Sequence, residues 1–212
     1  MKIYIVRHAQ SSRNARIKSR EDASLTAVGE EQARRLGNFF ENVKLSKIYC
    51  SPLSRARSTF EKIKPFVKKI PVQYSKRMIE IKMGKYSKNG HDDWKGYFKE
   101  ALDSGKPYHL HFPKGGESLQ GCYNRAGNFY SNLLKKHTNK ENLLLIGHGF
   151  FSLYLILNAL GLDLFEGKYY QLNNASVSTL ELDKKNIVRK FHINDYNHLI
   201  REGMKLKKIN SS

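Results

Sequence analysis

The chain of 212 residues has few cysteines and no long apolar run, which argues against a disulfide-rich or a membrane protein. Its two cysteines, Cys50 and Cys122, lack the spacing of a disulfide framework or metal site, which favours a reducing, cytoplasmic location. No apolar run approaches the roughly 20 residues of a membrane span, and the first residues lack the long apolar region of a signal peptide. We therefore expect no membrane attachment. Because there are no repeats or linkers, we expect one domain over residues 1–203, followed by a basic tail at 204–212.

Acidic residues are also scarce: 19 Asp and Glu stand against 38 Lys and Arg, which gives a formal net charge of +19. A surface of this kind attracts polyanions and steers anionic substrates, so two interpretations are open. A nucleic-acid-binding protein would collect its basic residues on one helix or stripe. Here they are scattered along the chain, which favours small anionic ligands. The hydrophobic content of 40% is ordinary for a folded protein and argues against disorder.

Apolar patterns predict strands that alternate with helices, and this order is typical of an α/β protein. We expect a three-layer sandwich with a mostly parallel central sheet between helices. The predicted strands are 1–6, 46–50, 70–74, 142–147, 176–182 and 187–193, the last two as an antiparallel pair. The predicted helices are 26–42, one that starts at Ser51-Pro52, 118–136, and 150–160, which Gly161 ends.

The segment 82–116 is rich in glycine and has little periodicity apart from a short helix that begins near Trp94. We expect it to be a lid-like insertion over the sheet edge, with Asp92-Asp93 as the cap of that helix. His109 and His111 have a spacing that a metal site could use, but no third ligand is evident. We therefore predict no metal and no cofactor.

Two histidines follow two of the predicted buried strands. His8, preceded by Arg7, comes after the first strand, and His148 comes after the strand 142–147. The carboxyl ends of strands in an open α/β sheet are where ligands bind, so both rings are expected at one pocket. A histidine beside a fixed positive charge suits a phosphate. Either histidine alone could equally be a satisfied residue in a turn, and the repeated context favours the functional interpretation.

Further polar residues could complete a phosphate site. Arg55 falls in the first turn of the helix predicted to start at Ser51-Pro52, where a guanidinium and free backbone N–H groups both favour an oxyanion. Asn14 offers an amide near His8. Taken singly, Arg55 could be a surface arginine of a basic protein, and Asn14 could cap a turn.

Two carboxylates are candidates for a proton donor. Glu80 lies between apolar residues in Met78-Ile79-Glu80-Ile81, and desolvation there favours the protonated form that a general acid needs near neutral pH. Glu117 stands before the helix 118–136 and could belong to its cap. We favour Glu80 and keep Glu117 as the alternative.

Taken in order, these motifs resemble the histidine phosphatase superfamily, in its phosphoglycerate mutase-like branch. The resemblance extends from residue 2 to about 180. It is carried by Arg7-His8-Ala9-Gln10-Ser11-Ser12-Arg13-Asn14, Leu25-Thr26, Gly29, Gln32-Ala33, Ser51-Pro52-Leu53-Ser54-Arg55-Ala56, Thr59, Glu80, Gly84, Gly116-Glu117-Ser118, Gly147-His148-Gly149 and Asn174-Ala175-Ser176.

The resemblance implies that the chain is a metal-independent phosphatase with His8 as nucleophile and phosphoryl carrier. It implies that Glu80 protonates the leaving oxygen and then helps to activate water. Its catalytic set would be His8, Glu80, His148, Arg7 and Arg55, and its substrate-binding set Arg7, Ser11, Asn14, Arg55 and His148.

The sequence also departs from the pattern of this branch. Ala9 stands where glycine is usual, Gln10-Ser11 replaces Glu-Thr, and Arg13 takes a position often held by an aromatic residue. Ala9 suits the turn provided that its φ stays negative.

The function that we predict is hydrolysis of a small anionic phosphomonoester. The residues after Glu80 do not match those of glycolytic mutases, so a phosphoglycerate mutase is the second choice. A phosphate- or nucleic-acid-binding protein on this fold is the third. The sequence does not indicate the oligomeric state.

Overall fold

The computed structural model describes residues 1–15, 23–67, 69–88 and 91–200. The predicted basic tail at 204–212 lies outside these residues, and the single-domain assignment stays a prediction. Among the described residues, no helix has the length and apolarity that crossing a membrane requires. Cys50 and Cys122 are buried and unpaired. The cytoplasmic location stays a prediction.

The main sheet has six strands in the spatial order β3-β2-β6-β1-β7-β8. Strands β3, β2, β6 and β1 run parallel, whereas β7 pairs antiparallel with both β1 and β8. The predicted mostly parallel sheet is therefore confirmed, as is the antiparallel pair at its end. The strands are β1 Lys2–Arg7, β2 Lys47–Cys50, β3 Val72–Tyr74, β6 Asn142–Gly147, β7 Val177–Leu182 and β8 Val188–Asp195; β4 Ser87–Lys88 and β5 His91–Asp92 form a separate hairpin.

Helices cover both faces of the sheet. They are α1 Ala27–Phe40, α2 Ser54–Ile63, α3 Trp94–Asp103, α4 Leu119–Lys136 and α5 Gly149–Leu160. In β6, Leu143 and Leu145 pack with α4 and α5, while Leu144 and Ile146 pack with α1 and α2. A strand buried on both faces is apolar throughout, which explains the continuous run in the sequence.

Helix α1 approaches the chain after β1 so closely that one position needs glycine. A Cβ on Gly29 would stand 1.9 Å from the carbonyl oxygen of Gln10. The Thr26 side chain caps this helix by accepting from the N–H of Gly29, and the Thr26 N–H donates to the same Gln10 carbonyl at 3.1 Å. These contacts fix the loop that follows the first strand. Ala9 in that loop is fully buried and has no positive φ, as expected.

The expected start of α2 at Ser51-Pro52 is wrong. The helix begins at Ser54 with Leu53 as N-cap, and no side chain caps it. Ser51 is instead buried beneath the carboxyl end of the sheet. The other predicted helices are observed within a few residues of their expected ends, and Gly161 ends α5 at a φ of 69°.

The segment between β3 and α4 contains short 3-10 turns, the β4–β5 hairpin and α3. Asp93 caps α3 by accepting from the N–H of Gly96 at 2.9 Å, while Asp92 pairs with Arg13 instead. Buried Tyr97 ties α3 to the following turn through its hydroxyl, which donates to the carbonyls of Tyr108 and His111. A role for this segment as a lid stays a prediction.

Candidate active site

The register of the sheet brings the two strand-end histidines together. Arg7 is paired with Gly147 at the ends of the neighbouring parallel strands β1 and β6, so the next residue of each strand is His8 or His148. Their ring centroids are 5.1 Å apart, with the ring planes inclined by 59°. Both side chains are buried. The predicted meeting of the two histidines at one site is therefore observed.

The hydrogen bonds of His8 define which ring nitrogen carries the proton. Nδ1 lies 2.7 Å from the carbonyl oxygen of Ala9, and because a carbonyl only accepts, Nδ1 is the donor. Nε2 lies 3.1 Å from Nε of Arg55 and accepts its proton. The lone pair of His8 is therefore on Nε2, on the side of the arginine.

The surroundings keep His8 uncharged. Burial lowers the pKa of His8 well below its ordinary value of 6.5, and the positive charges of Arg55 and Arg7 lower it further. A neutral imidazole has the lone pair that a nucleophile requires. His8 is therefore in its nucleophilic form at neutral pH.

The second histidine is oriented by a buried serine. Nε2 of His148 lies 2.7 Å from Oγ of Ser51, and Oγ also accepts the N–H of Leu53 at 3.4 Å. The Ser51 hydroxyl is able to donate to Nε2, and in that tautomer the His148 proton is on Nδ1, where it can bind an oxyanion. This Nδ1 is buried and has no partner among the described residues. Burial and the charge of Arg55 lower the pKa of His148.

Two arginines supply the positive charge. Arg55, in the first turn of α2, is buried beside His8. Arg7 donates from Nη1 to the carbonyl of Leu172, while its buried Nε has no partner in the part of the chain that the structure describes. A buried N–H without a partner is costly, and an oxyanion would satisfy it.

Asn14 and Ser11 differ in what they offer. The Asn14 carboxamide oxygen accepts from the Ser11 hydroxyl at 2.9 Å and from Nδ2 of Asn174 at 3.2 Å. Because the oxygen already accepts these hydrogen bonds, the amide nitrogen is the group that can donate to a phosphate oxygen. Asn14 lines the cavity described below. Ser11 is fully buried, and its hydroxyl donates to the Asn14 amide oxygen and so orients that amide. Direct binding of substrate by Ser11 stays a prediction.

The two candidate carboxylates have different surroundings. Glu80 lies at the N-terminus of α5, where Oε1 accepts from the N–H groups of Phe150 at 3.1 Å and Phe151 at 3.2 Å. The apolar neighbours in the sequence had suggested a less polar setting. Glu117 accepts from Nε and Nη2 of Arg125, at 2.8 and 2.7 Å. Glu80 lines the cavity, whereas Glu117 is not among its lining residues.

A cavity of about 570 Å³ opens beside these groups. The end that the sequence predicts to bind phosphate, here called the phosphate end, is lined by Arg7, His8, Asn14, Arg55 and Glu80. The remainder is lined mainly by aromatic and aliphatic side chains, which sequence reasoning missed because they come from distant elements. Among the described residues, no three His, Cys, Asp or Glu side chains gather as a metal site, and His109 packs on the ring of Phe165 at 4.8 Å.

The fold and the site define a protein with a buried, neutral histidine in a positively charged oxyanion pocket at the carboxyl edge of an α/β sheet. The sequence model of the histidine phosphatase superfamily (branch 1) matches residues 3–195. The chain therefore belongs to this superfamily. The sequence-based assignment to a histidine phosphatase enzyme is confirmed.

Known proteins resemble the chain over most of its length. Phosphoserine phosphatase 1 of Hydrogenobacter thermophilus is 29% identical, over 91% of this chain and 92% of its own. A probable phosphoglycerate mutase GpmB of Salmonella choleraesuis is 27% identical, over 85% of each. The solved structure of Bacillus stearothermophilus YhfR has a TM-score of 0.78 and 26% identity, and it covers 94% of this chain and 99% of its own.

Proposed function

We propose that the chain hydrolyses phosphomonoesters through a phosphoryl group carried on His8. The observation that carries this proposal is the state of that ring: buried, neutral, protonated on Nδ1 and with its Nε2 lone pair beside Arg55. An attacking nitrogen held in this way, next to positive charge, is what transfer of a phosphoryl group needs.

In the first step the Nε–H of Arg55 leaves Nε2 of His8 for a phosphoryl oxygen, Nε2 attacks phosphorus, and the bond from phosphorus to the alcohol oxygen breaks. Arg7, Arg55, Asn14 and His148 neutralise or bind the oxygens of the phosphoryl group. Glu80, in its protonated form, gives its proton to the departing oxygen. The products of this step are the free alcohol, a carboxylate on Glu80 and a phosphohistidine.

In the second step water attacks the phosphohistidine, and the bond from phosphorus to Nε2 breaks. The Glu80 carboxylate takes the proton from water, which returns this residue to its starting form. Phosphate leaves, and the ring regains its lone pair on Nε2. The bond from Nδ1 to the Ala9 carbonyl is retained throughout, so the ring keeps one orientation.

A mutase is the second candidate, because relatives named as probable phosphoglycerate mutase cover most of the chain. Such an enzyme must hold the carboxylate of its substrate with further positive groups. Beyond the phosphate end, the cations among the described lining residues are Arg13 and Lys168. Arg13 is already paired with Asp92, which favours the hydrolase.

The test is release of inorganic phosphate from a panel of phosphomonoesters, with a parallel assay for isomerisation of 3-phosphoglycerate. We expect phosphate release by the wild-type chain and its loss in His8→Ala. Isomerisation that is faster than hydrolysis would support the mutase. Equal turnover by the wild type and by His8→Ala would contradict both.

A further inference from the structure

The part of the cavity that would receive the alcohol moiety is aromatic. Its wall is formed by α3, by the turn that follows it, by the first turns of α5 and by the 3-10 helix Leu164–Tyr169. The rings that line it include those of Trp94, Phe98, Tyr108, Phe150, Tyr154 and Phe165.

These rings form a connected row from the interior to the mouth of the cavity. Trp94 packs on Phe150 with ring centroids 4.9 Å apart and planes inclined by 32°. From Trp94 the row continues to Phe98 at 5.9 Å, then to Tyr108 at 5.6 Å and to Phe165 at 6.1 Å. The first pair is therefore in tilted contact, and the row extends from it to the more exposed rings.

The outer three rings are partly exposed to water. Phe98, Tyr108 and Phe165 each have 39% of their surface accessible, although they touch one another. Contiguous apolar surface of this kind at the edge of a pocket is typical of a ligand-binding groove. An apolar ligand would cover it and gain the corresponding hydrophobic free energy.

The charged groups on this side of the cavity are already engaged. Arg13 forms an ion pair with Asp92 and donates to Oγ of Ser87 at 2.9 Å. The ammonium of Lys168 lies 4.8 Å from the centroid of the Tyr169 ring. Arg13 and Lys168 are the only cations among the described residues that line the cavity away from the phosphate end. A second anionic group on the substrate would therefore meet one arginine that is already ion-paired and one lysine that is exposed to water.

We propose that the substrates are phosphomonoesters of apolar, ring-bearing alcohols rather than of small carboxylated alcohols. The inference rests on the phosphatase function proposed above and identifies its substrate class. It narrows the small anionic phosphoester that the sequence predicted to one with an apolar alcohol, because the wall around the leaving group is mainly aromatic.

The first experiment compares primary alkyl phosphates, whose alkoxide leaving groups are of similar acidity. The series is ethyl, butyl and hexyl phosphate, with 2-phenylethyl phosphate and O-phosphoserine. We expect kcat/KM to rise about two- to fourfold for each added methylene that the wall covers. We expect 2-phenylethyl phosphate to exceed ethyl phosphate about 10- to 100-fold, and phosphoserine to rank with or below ethyl phosphate.

The second experiment uses matched variants. Phe98→Ala and Phe165→Ala remove exposed wall rings, and Phe191→Ala removes a ring on β8 that is 52% exposed and does not line the cavity. The preference for 2-phenylethyl over ethyl phosphate should fall at least about threefold in each wall variant and stay unchanged in Phe191→Ala. Circular dichroism checks that each variant is folded.

The outcomes separate the two proposals. A flat alkyl series, a preference for phosphoserine, or an equal preference in Phe98→Ala and Phe191→Ala would overturn the substrate class while leaving the phosphatase. No phosphate release from any ester, or turnover unaffected by His8→Ala, would overturn the phosphatase and the substrate class with it.

Discussion

The two ends of the cavity are built in different ways. At the phosphate end, strand ends and helix N-termini hold each polar side chain through backbone or buried partners, as the Ala9 carbonyl does for His8 and the start of α5 does for Glu80. At the other end, aromatic rings on short helices and turns meet mainly through ring contacts and are partly exposed. In the proposed function, chemistry and substrate choice therefore lie on separable parts of the fold. Substitutions should change one without the other.

Among substitutions at either end of the cavity other than His8→Ala, we expect Glu80→Gln to cause the largest loss of activity. This change keeps the shape and an oxygen acceptor for the N–H groups of α5 but removes the proton. The kcat/KM of alkyl phosphates, which reports formation of the phosphohistidine, should fall by about 10²–10⁴-fold, and that of nitrophenyl phosphate far less, because its leaving group needs no proton.

The matched control for the acid is Glu117→Gln, whose carboxylate is bound to Arg125 outside the cavity. We expect it to retain the difference between alkyl and nitrophenyl substrates. If Glu117→Gln shows the selective loss and Glu80→Gln does not, the acid has been assigned to the wrong residue.

The next effect concerns Arg55→Met, which removes the guanidinium beside Nε2 of His8. Loss of one such donor lowers the rate by about 10²–10³-fold. Because Arg55 acts on the phosphoryl group, all esters should be affected equally, and the ratio of 2-phenylethyl to ethyl phosphate should be retained. A changed ratio would show that the two ends are not separable.

A smaller loss is expected for Ser51→Ala, which removes the hydroxyl that orients His148. Without it, His148 is free to protonate Nε2 in place of Nδ1, and kcat should fall about 2- to 10-fold with little change in KM. Ser178→Ala, another buried serine, on β7 away from the cavity, is the control. A rise in KM alone would mean that Ser51 does not act through His148.

The smallest effect is on stability at acid pH. His8 and His148 have pKa values held below the ordinary 6.5 in the folded chain, so the unfolded state binds more protons below that pH. The contribution of these two histidines to the free energy of unfolding should therefore be fully present above pH 6.5, and it should fall as the pH is lowered below 6.5. Urea denaturation between pH 7.5 and 5 measures this, and His148→Gln should reduce the slope. Identical slopes would contradict a buried neutral His148.

The sequence predicted that the two histidines would meet because both lie at the ends of apolar runs. His8 and His148 each follow a continuous apolar strand, and parallel pairing of those strands brings the rings together. Glu80 was likewise distinguished from Glu117, although its contact with the first N–H groups of α5 was not foreseen.

The sequence could not predict contacts between distant segments that carry no local signal. Ser51 precedes proline and looks like a helix cap, yet its hydroxyl contacts a ring 97 positions away. Trp94 and Phe150 each fit an apolar helix face, and only the packing of the inserted segment against α5 makes them part of one wall. Substrate choice therefore needs the three-dimensional structure, whereas the reaction class does not.

The central claim is that Nε2 of His8 carries the phosphoryl group. The most direct measurement is rapid quenching of the chain with a ³²P-labelled alkyl phosphate, followed by peptide mapping and ³¹P NMR of the labelled peptide. Because Nδ1 donates to the Ala9 carbonyl, we predict an acid-labile, base-stable label on His8 as the isomer phosphorylated at Nε2. Label on Nδ1, on another residue, or equally in His8→Ala would contradict the account.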